Sequence, residues 1–185
     1  SYCDDDRVEA TAWKRALLQR FQGTEKGPIQ EFLGMAVNRD RTAGTMHLSQ
    51  QELILDLIQR FGLTDANPTD TPLSPNIHMT AADSPARPDT QLGPLYREVV
   101  GTLQWLAICT RPDLAHAAQA LARFSANPGE EHWKQAKRCL RYLKGTSDHG
   151  ITYSRQHDAT LANRMYGFCD ADWAADPDTR RSVGA

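Results

Sequence analysis

Residues 127–145, NPGEEHWKQAKRCLRYLKG, contain the signals for the start, the buried face and the end of one helix. The segment Asn127–Glu130 marks the start of a helix and Gly145 marks its end, because polar caps, a proline near the first turn and a glycine after the last turn are typical of helix boundaries. An apolar stripe lies between them at helical spacing: Trp133, Ala136, Leu140 and Leu143. The stretch therefore predicts an amphipathic helix that covers a core.

Two further helices are predicted just upstream. Tyr96–Ile108 has one apolar stripe, and Thr110–Asp113 restarts the chain as a second helix, with Thr110 as its cap. Together with the helix after Gly129 they predict a three-helix unit. Residues 64–94 contain six prolines among Asp, Thr, Ser and Ala, so this segment is expected to be an extended, partly mobile connection.

The first third of the chain mixes helix and strand. Val8–Phe21 predicts an amphipathic helix. Phe32–Val37 and Thr45–Leu48 flank a polar turn and predict a β-hairpin. Ser49–Glu52 matches a capping box, and the apolar stripe after it, ended by Gly62, predicts another helix.

The last part of the chain predicts strands. Ile151–Tyr153 and Met165–Cys169 are short β-prone runs, and we expect a new sheet to begin with them. The fold class expected from all these elements is α+β.

Composition excludes several classes of protein. The chain has 40% apolar and 24% charged residues, which is typical of a globular protein, and it has no apolar run long enough to span a membrane. Its formal net charge is −2, so nucleic-acid binding would need a local basic face. The four cysteines are far apart without a C-x-x-C pair, which argues against a zinc site and favours reduced thiols in an intracellular protein.

The helix predicted in residues 127–145 also has a row of cations beside its apolar stripe. Such a row suits a phosphate backbone, because each neutralised phosphate releases counterions, but it is also what a solvated helix face looks like. Since no acidic residue lies between the first and last cation, we favour nucleic acid. The five predicted nucleic-acid-binding residues are Lys134, Lys137, Arg138, Arg141 and Lys144.

Carboxylates form the second candidate site. Asp170 follows the short run ending at Cys169, and carboxylates at a strand end can hold Mg²⁺, although such turns are more often solvated loops or helix caps. The segment Tyr2–Asp5 has the Tyr-x-Asp-Asp form of a polymerase turn. Because Asp6-Arg7 follows where a strand should run, we interpret these acidic residues as preceding and capping the first helix.

Several short motifs follow one another in a specific order and spacing. The motifs are Phe32-Leu33-Gly34-Met35, Leu48-Ser49-Gln50, Arg60-Phe61-Gly62-Leu63, Thr71-Pro72, Tyr96-Arg97, Val100-Gly101-Thr102-Leu103, Thr110-Arg111-Pro112-Asp113, His132-Trp133, Arg138-Cys139-Leu140-Arg141-Tyr142-Leu143-Lys144-Gly145-Thr146, Asp170-Ala171-Asp172-Trp173-Ala174 and Arg180-Arg181-Ser182. From about residue 13 to the end, their joint order resembles one family, the Pol polyprotein of copia-type retrotransposons.

The resemblance implies a fragment of reverse transcriptase and RNase H. Residues 1–63 would be the palm edge, the primer-grip hairpin and the first thumb helix, 64–95 a proline-rich crossover, 96–148 a helical thumb or connection, and 149–185 the first strands of an RNase H-like sheet. Asp170 would be the first catalytic, Mg²⁺-binding carboxylate of RNase H. The implied partners are an RNA–DNA hybrid or template-primer and the remainder of the Pol polyprotein, and the implied locations are cytoplasmic particles and the nucleus.

Two departures bear on activity. The Tyr-x-Asp-Asp turn of the family lies further upstream of Phe-Leu-Gly than Tyr2 lies from Phe32, and the other carboxylates of both active sites would fall outside residues 1–185. We therefore expect the chain alone to be inactive, because two-metal chemistry needs several converging carboxylates. The alternative is a noncatalytic helical nucleic-acid-binding or interaction module from a degenerate element.

Overall fold

A computed structural model of the chain describes residues 7–25, 27–155 and 178–179. The chain divides into two compact units, Ser1–Gln30 and Glu31–Ala185. In the first unit, helix α1 spans Arg7–Arg20, close to the predicted Val8–Phe21. Large apolar side chains on it are exposed: Trp13 is 70% and Leu17 52% accessible to solvent.

An antiparallel sheet opens the second unit. Strands β1 (Glu31–Phe32), β2 (Met35–Asp40), β3 (Thr45–Ser49) and β4 (Gly150–Ser154) lie in that order. The predicted hairpin is confirmed as β2 and β3, which pair from Ala36↔Ser49 to Asp40↔Thr45.

The predicted first strand of that hairpin is interrupted. Leu33 and Gly34 have φ values of 52° and 75°, and Phe32 pairs with Met35 across them. Two central residues with positive φ make a type I′ turn, the tightest connection between antiparallel strands. The apolar run Phe32–Val37 therefore contains a second hairpin rather than one continuous strand.

Strand β4 corrects another expectation. Ile151–Tyr153 does form a strand, but it pairs with β3, with Leu48 opposite Ile151, and does not begin a new sheet. Met165–Cys169, the second predicted strand of that sheet, lies outside the described residues. The assignment of 149–185 to RNase H, like the other predicted segment boundaries, stays a prediction.

Four helices pack together between β3 and β4. They are α2 (Gln51–Arg60), α3 (Leu92–Cys109), α4 (Ala115–Ala122) and α5 (Glu130–Gly145). The side chains that face one another are aliphatic and fully buried, with Ile54, Leu103, Leu121, Leu140 and Leu143 each at 0% exposure. The three-helix unit is thus confirmed, and α2 joins its core. The fold is mixed helix and antiparallel sheet, consistent with α+β.

Several helix boundaries differ from the prediction. Ser49 is the last residue of β3 and does not cap α2. Thr110 does not cap the start of the next helix either: it is the C-cap residue of α3, and its hydroxyl donates to the buried Gln50 Oε1 at 2.8 Å. Helix α3 begins earlier than predicted, with Pro94 in its first turn, where the missing amide hydrogen is not needed.

The segment after α2 is irregular, as its prolines predict, and hydrogen bonds join it to α5. We call residues 64–80 the strap. It runs antiparallel along α5: Thr64 O meets Lys144 near the end of α5, Ser74 N donates to Gln135 Oε1, and Thr80 O meets His132 in the first turn. In the part of the chain that the structure describes, no helix is long and apolar enough to cross a membrane.

Candidate nucleic-acid interface

Helix α5 positions the predicted basic residues, and a buried histidine fixes its start. The Gly129 amide donates to His132 Nδ1 at 3.0 Å, which satisfies one of the amides that a helix start leaves unbonded. Because Nδ1 accepts, Nε2 carries the proton and donates to Thr80 O at 3.2 Å. Burial lowers the pKa of His132, and its ring stacks on Phe124 with centroids 3.9 Å apart.

The backbone approach at this point requires glycine. A Cβ on residue 129 would lie 1.8 Å from the carbonyl oxygen of Asp83, at the end of the 3-10 turn Ala81–Asp83 that follows the strap. Sequence reasoning identified Asn127–Glu130 as a helix start but missed His132, which is the side chain that caps it.

Two of the five predicted cations face solvent. Lys134 is 73% exposed, with Glu131 Oε2 3.3 Å from its ammonium. Lys137 is exposed, and its ammonium lies 5.8 Å from the centre of the Trp133 ring. That ring meets Phe61, which follows the last residue of α2, edge-on at 5.8 Å between centroids. A half-buried aromatic with cations beside it is a surface that can meet both phosphates and bases.

The strap holds the other three cations. Lys144 donates to Thr64 O at 2.5 Å and to Ala66 O at 2.8 Å, and Arg141 Nε donates to Asn67 O at 2.6 Å. Arg138 donates to the Thr71 hydroxyl at 2.9 Å. All three side chains are partly buried.

This arrangement explains how a helix can have a cationic row without acidic residues inside it. The main partners are backbone carbonyls of a segment more than sixty positions upstream, and carbonyls have no signature in a sequence. The structure thus gives Arg138, Arg141 and Lys144 a role in holding the strap. Nucleic-acid binding by the five residues stays a prediction.

A second polar cluster, also missed from sequence, closes the far end of α5. Arg111 is 1% exposed and binds both carboxylate oxygens of Asp113, at 2.9 and 2.7 Å. It also donates to the carbonyl and hydroxyl oxygens of Thr146, at 2.8 and 2.7 Å. Partial burial pushes the pKa of Asp113 upward, but hydrogen bonds from Arg111 and Tyr142 outweigh this effect and leave the pKa lowered. The Thr-Arg-Pro-Asp motif is thus a structural junction between the start of α4 and the end of α5.

The two acidic segments singled out in the sequence are not in the described part of the chain. Asp170, the predicted catalytic and metal-binding residue, and Tyr2–Asp5 both lie outside the described residues. Among the residues that are described, no group of three or more His, Cys, Asp or Glu side chains could hold a metal ion.

Comparison with known proteins identifies the origin of this sequence. It is 35% identical over 172 residues to the retrovirus-related Pol polyprotein from transposon TNT 1-94 of Nicotiana tabacum, which covers 91% of this chain and 13% of that protein. It is 39% and 38% identical to the Pol polyproteins from transposons RE2 and RE1 of Arabidopsis thaliana, in each case over 88% of this chain and 10% of the relative. No family model matches, and no solved structure matches significantly.

The chain thus spans only about a tenth of the length of these relatives. The similarity nevertheless runs through about nine-tenths of the chain, which includes the sheet and helices described above. The resemblance inferred from the motifs is confirmed: the chain corresponds to a piece of the Pol polyprotein of a copia-type retrotransposon.

Proposed function

We propose that this chain is a template-primer-binding part of a reverse transcriptase and RNase H polyprotein. The observation that carries the proposal is its similarity, over about nine-tenths of its length, to polyproteins named retrovirus-related Pol. In this proposal residues 1–63 are the palm edge, primer grip and first thumb helix, and residues 96–148 are the helical thumb or connection. The natural ligand is an RNA–DNA hybrid or template-primer, met in cytoplasmic particles and the nucleus.

The exposed face of α5 supports binding to a phosphate backbone. Lys134 and Lys137 are one turn apart and both exposed, so both ammonium groups can reach consecutive phosphates of one strand. These two contacts would contribute about −1.8 to the logarithmic slope with which binding falls with salt, at roughly −0.9 per neutralised phosphate. Trp133 beside them adds an aromatic edge for a base or sugar.

The RNase H part of the proposal concerns Asp170. Its carboxylate would be one of several oxygen ligands of Mg²⁺, which activates water for attack on the RNA strand of a hybrid. Two-metal chemistry needs several converging carboxylates, and in this proposal Asp170 supplies one of them.

The proposal is tested by titrating an RNA–DNA duplex with the chain at several salt concentrations. Lys134→Gln with Lys137→Gln should lower affinity and reduce the salt slope by about 1.8. The matched control is Arg15→Gln with Arg20→Gln, which removes the same charge from exposed positions of α1. Since all four side chains are exposed, neither variant should change folding.

Each outcome is informative. Equal loss of affinity in both variants would mean that net charge, and not the α5 face, governs binding. If the natural chain fails to bind at low salt, the proposal is wrong, and the chain is better described as a noncatalytic interaction module.

A further inference from the structure

The strap covers the C-terminal half of the basic row on α5. Lys144 donates hydrogen bonds to the backbone oxygens of Thr64 and Ala66, and Arg141 donates to that of Asn67. Arg138 donates to the Thr71 hydroxyl. A phosphate that approached any of these cations in the same direction would meet the strap first. The row therefore presents two accessible cations at one end and three covered cations at the other.

The hydrogen bonds between the strap and α5 join charged donors to neutral acceptors. Each cation meets neutral carbonyl or hydroxyl oxygens, so its positive charge is hydrogen-bonded without being compensated. Arg138 Nε is buried and finds no hydrogen-bond partner among the described residues. A phosphate oxygen carries negative charge and forms shorter, stronger hydrogen bonds to guanidinium and ammonium groups than a carbonyl does. A phosphate is thus a stronger hydrogen-bond partner for these cations than the neutral oxygens of the strap.

The strap is also held by side chains other than these cations. Cys139 Sγ donates to Pro72 O at 3.1 Å, Gln135 Oε1 accepts from Ser74 N at 3.1 Å, and Thr69 Oγ1 lies 3.4 Å from Arg138 O. The contacts of Ser74 and Thr80 with α5 would keep the far end of the strap in place while residues 64–72 lift from the end of α5, which also breaks the weak bond from Cys139 to Pro72. Only a local opening is needed to expose the three cations.

We propose that residues 64–72 of the strap and a nucleic-acid backbone compete for Arg138, Arg141 and Lys144, so that the strap is a displaceable cover of the basic row. The inference rests on the proposed function and adds its regulation. With the strap closed, the helix offers two phosphate contacts. With the strap lifted, it offers five.

A reversible tether tests the competition within one polypeptide. A Cβ built on Gly145 lies 3.0 Å from Cβ of Pro68, close to the roughly 3.8 Å of a disulfide, so Pro68→Cys with Gly145→Cys can lock the strap with a small shift. Cys3, Cys109 and Cys169 are replaced by Ser. Cys139 is retained, because burial raises the pKa of its thiol to about 12 and keeps it unreactive.

The two redox forms should differ in salt dependence. Each neutralised phosphate contributes roughly −0.9 to the slope of log affinity against log salt. With five contacts, affinity for the RNA–DNA duplex should therefore fall about 500-fold between about 50 and 200 mM salt, and with two contacts only about 12-fold. The reduced form should behave like the natural chain and the oxidised form like the two-contact case. Equal slopes in both forms would overturn the competition while leaving the proposed function intact, whereas absence of binding in both would overturn both.

A second measurement detects the opening itself. The strap covers the Cys139 thiol through Pro72, so duplex that lifts the strap should accelerate labelling of Cys139 by a small thiol reagent in a chain whose other cysteines are Ser. Lys134→Gln with Lys137→Gln serves as the control, since it weakens binding without touching the strap. Duplex that binds without changing the labelling rate would show that the cover stays closed.

Discussion

Replacing Arg111 by Met tests whether the buried junction at the end of α5 stabilises the fold. The change keeps an apolar stem of similar length but removes four hydrogen bonds, two to Asp113 and two to Thr146. Removing one partner of a buried ion pair typically costs about 3–5 kcal/mol. The Asp113 side chain is 37% exposed and can be solvated, so we expect the lower end, about 3 kcal/mol.

Urea unfolding followed by far-ultraviolet circular dichroism measures this loss. The control is Arg60→Met, which removes an exposed ion pair with Glu98 in which Arg60 is 69% exposed, and should cost less than about 1 kcal/mol. A loss below about 1 kcal/mol in Arg111→Met, or an equal loss in both variants, would refute the view that this arginine stabilises the junction.

Three further predictions concern single positions. Because the pKa of His132 is lowered in the folded chain, the unfolded chain takes up the proton first, so the free energy of unfolding should fall as pH drops below 6.5; a flat profile between about pH 7 and 5 would contradict this. Leu33→Asn should raise the free energy of unfolding by about 0.5–1 kcal/mol, because asparagine tolerates φ 52° better than leucine, and a loss would argue that the Leu33 side chain has a packing role. Gly150→Ala should lower it by at least about 2 kcal/mol, since the new Cβ would lie 2.1 Å from Leu48 O; an unchanged urea midpoint would show that β3 and β4 separate easily.

The elements that could be predicted from sequence are those with a local signal. Helix α5 has caps, an apolar stripe and a terminal glycine within 19 residues, and it is found at Glu130–Gly145. The Leu33-Gly34 turn was missed because leucine rarely occupies a left-handed position, so the pattern indicated one continuous strand.

The features that could not be predicted depend on pairs distant in sequence. Nothing near Ile151 shows that it will pair with Leu48, and nothing near Arg141 shows that it will meet Asn67 O. A row of cations has the same sequence pattern whether its hydrogen-bond partners are phosphates or the backbone of a distant segment of the chain. The residues of the candidate site could therefore be named from the sequence, whereas the hydrogen-bond partners of its cations could be seen only in the structure.

The pairing of Ser49 with Gly150 places the two ends of a hundred-residue excursion side by side. The chain thus leaves the sheet for the helical unit and returns to it at the same place, as in an inserted domain. Domains whose ends lie close together tolerate insertion into other proteins. A short turn joining β3 directly to β4 would leave a continuous antiparallel meander, and residues 50–149 would become a module with adjoining ends. The same pairing constrains folding, because β4 can pair with β3 only after the intervening helices have brought the start of β4 back to the end of β3.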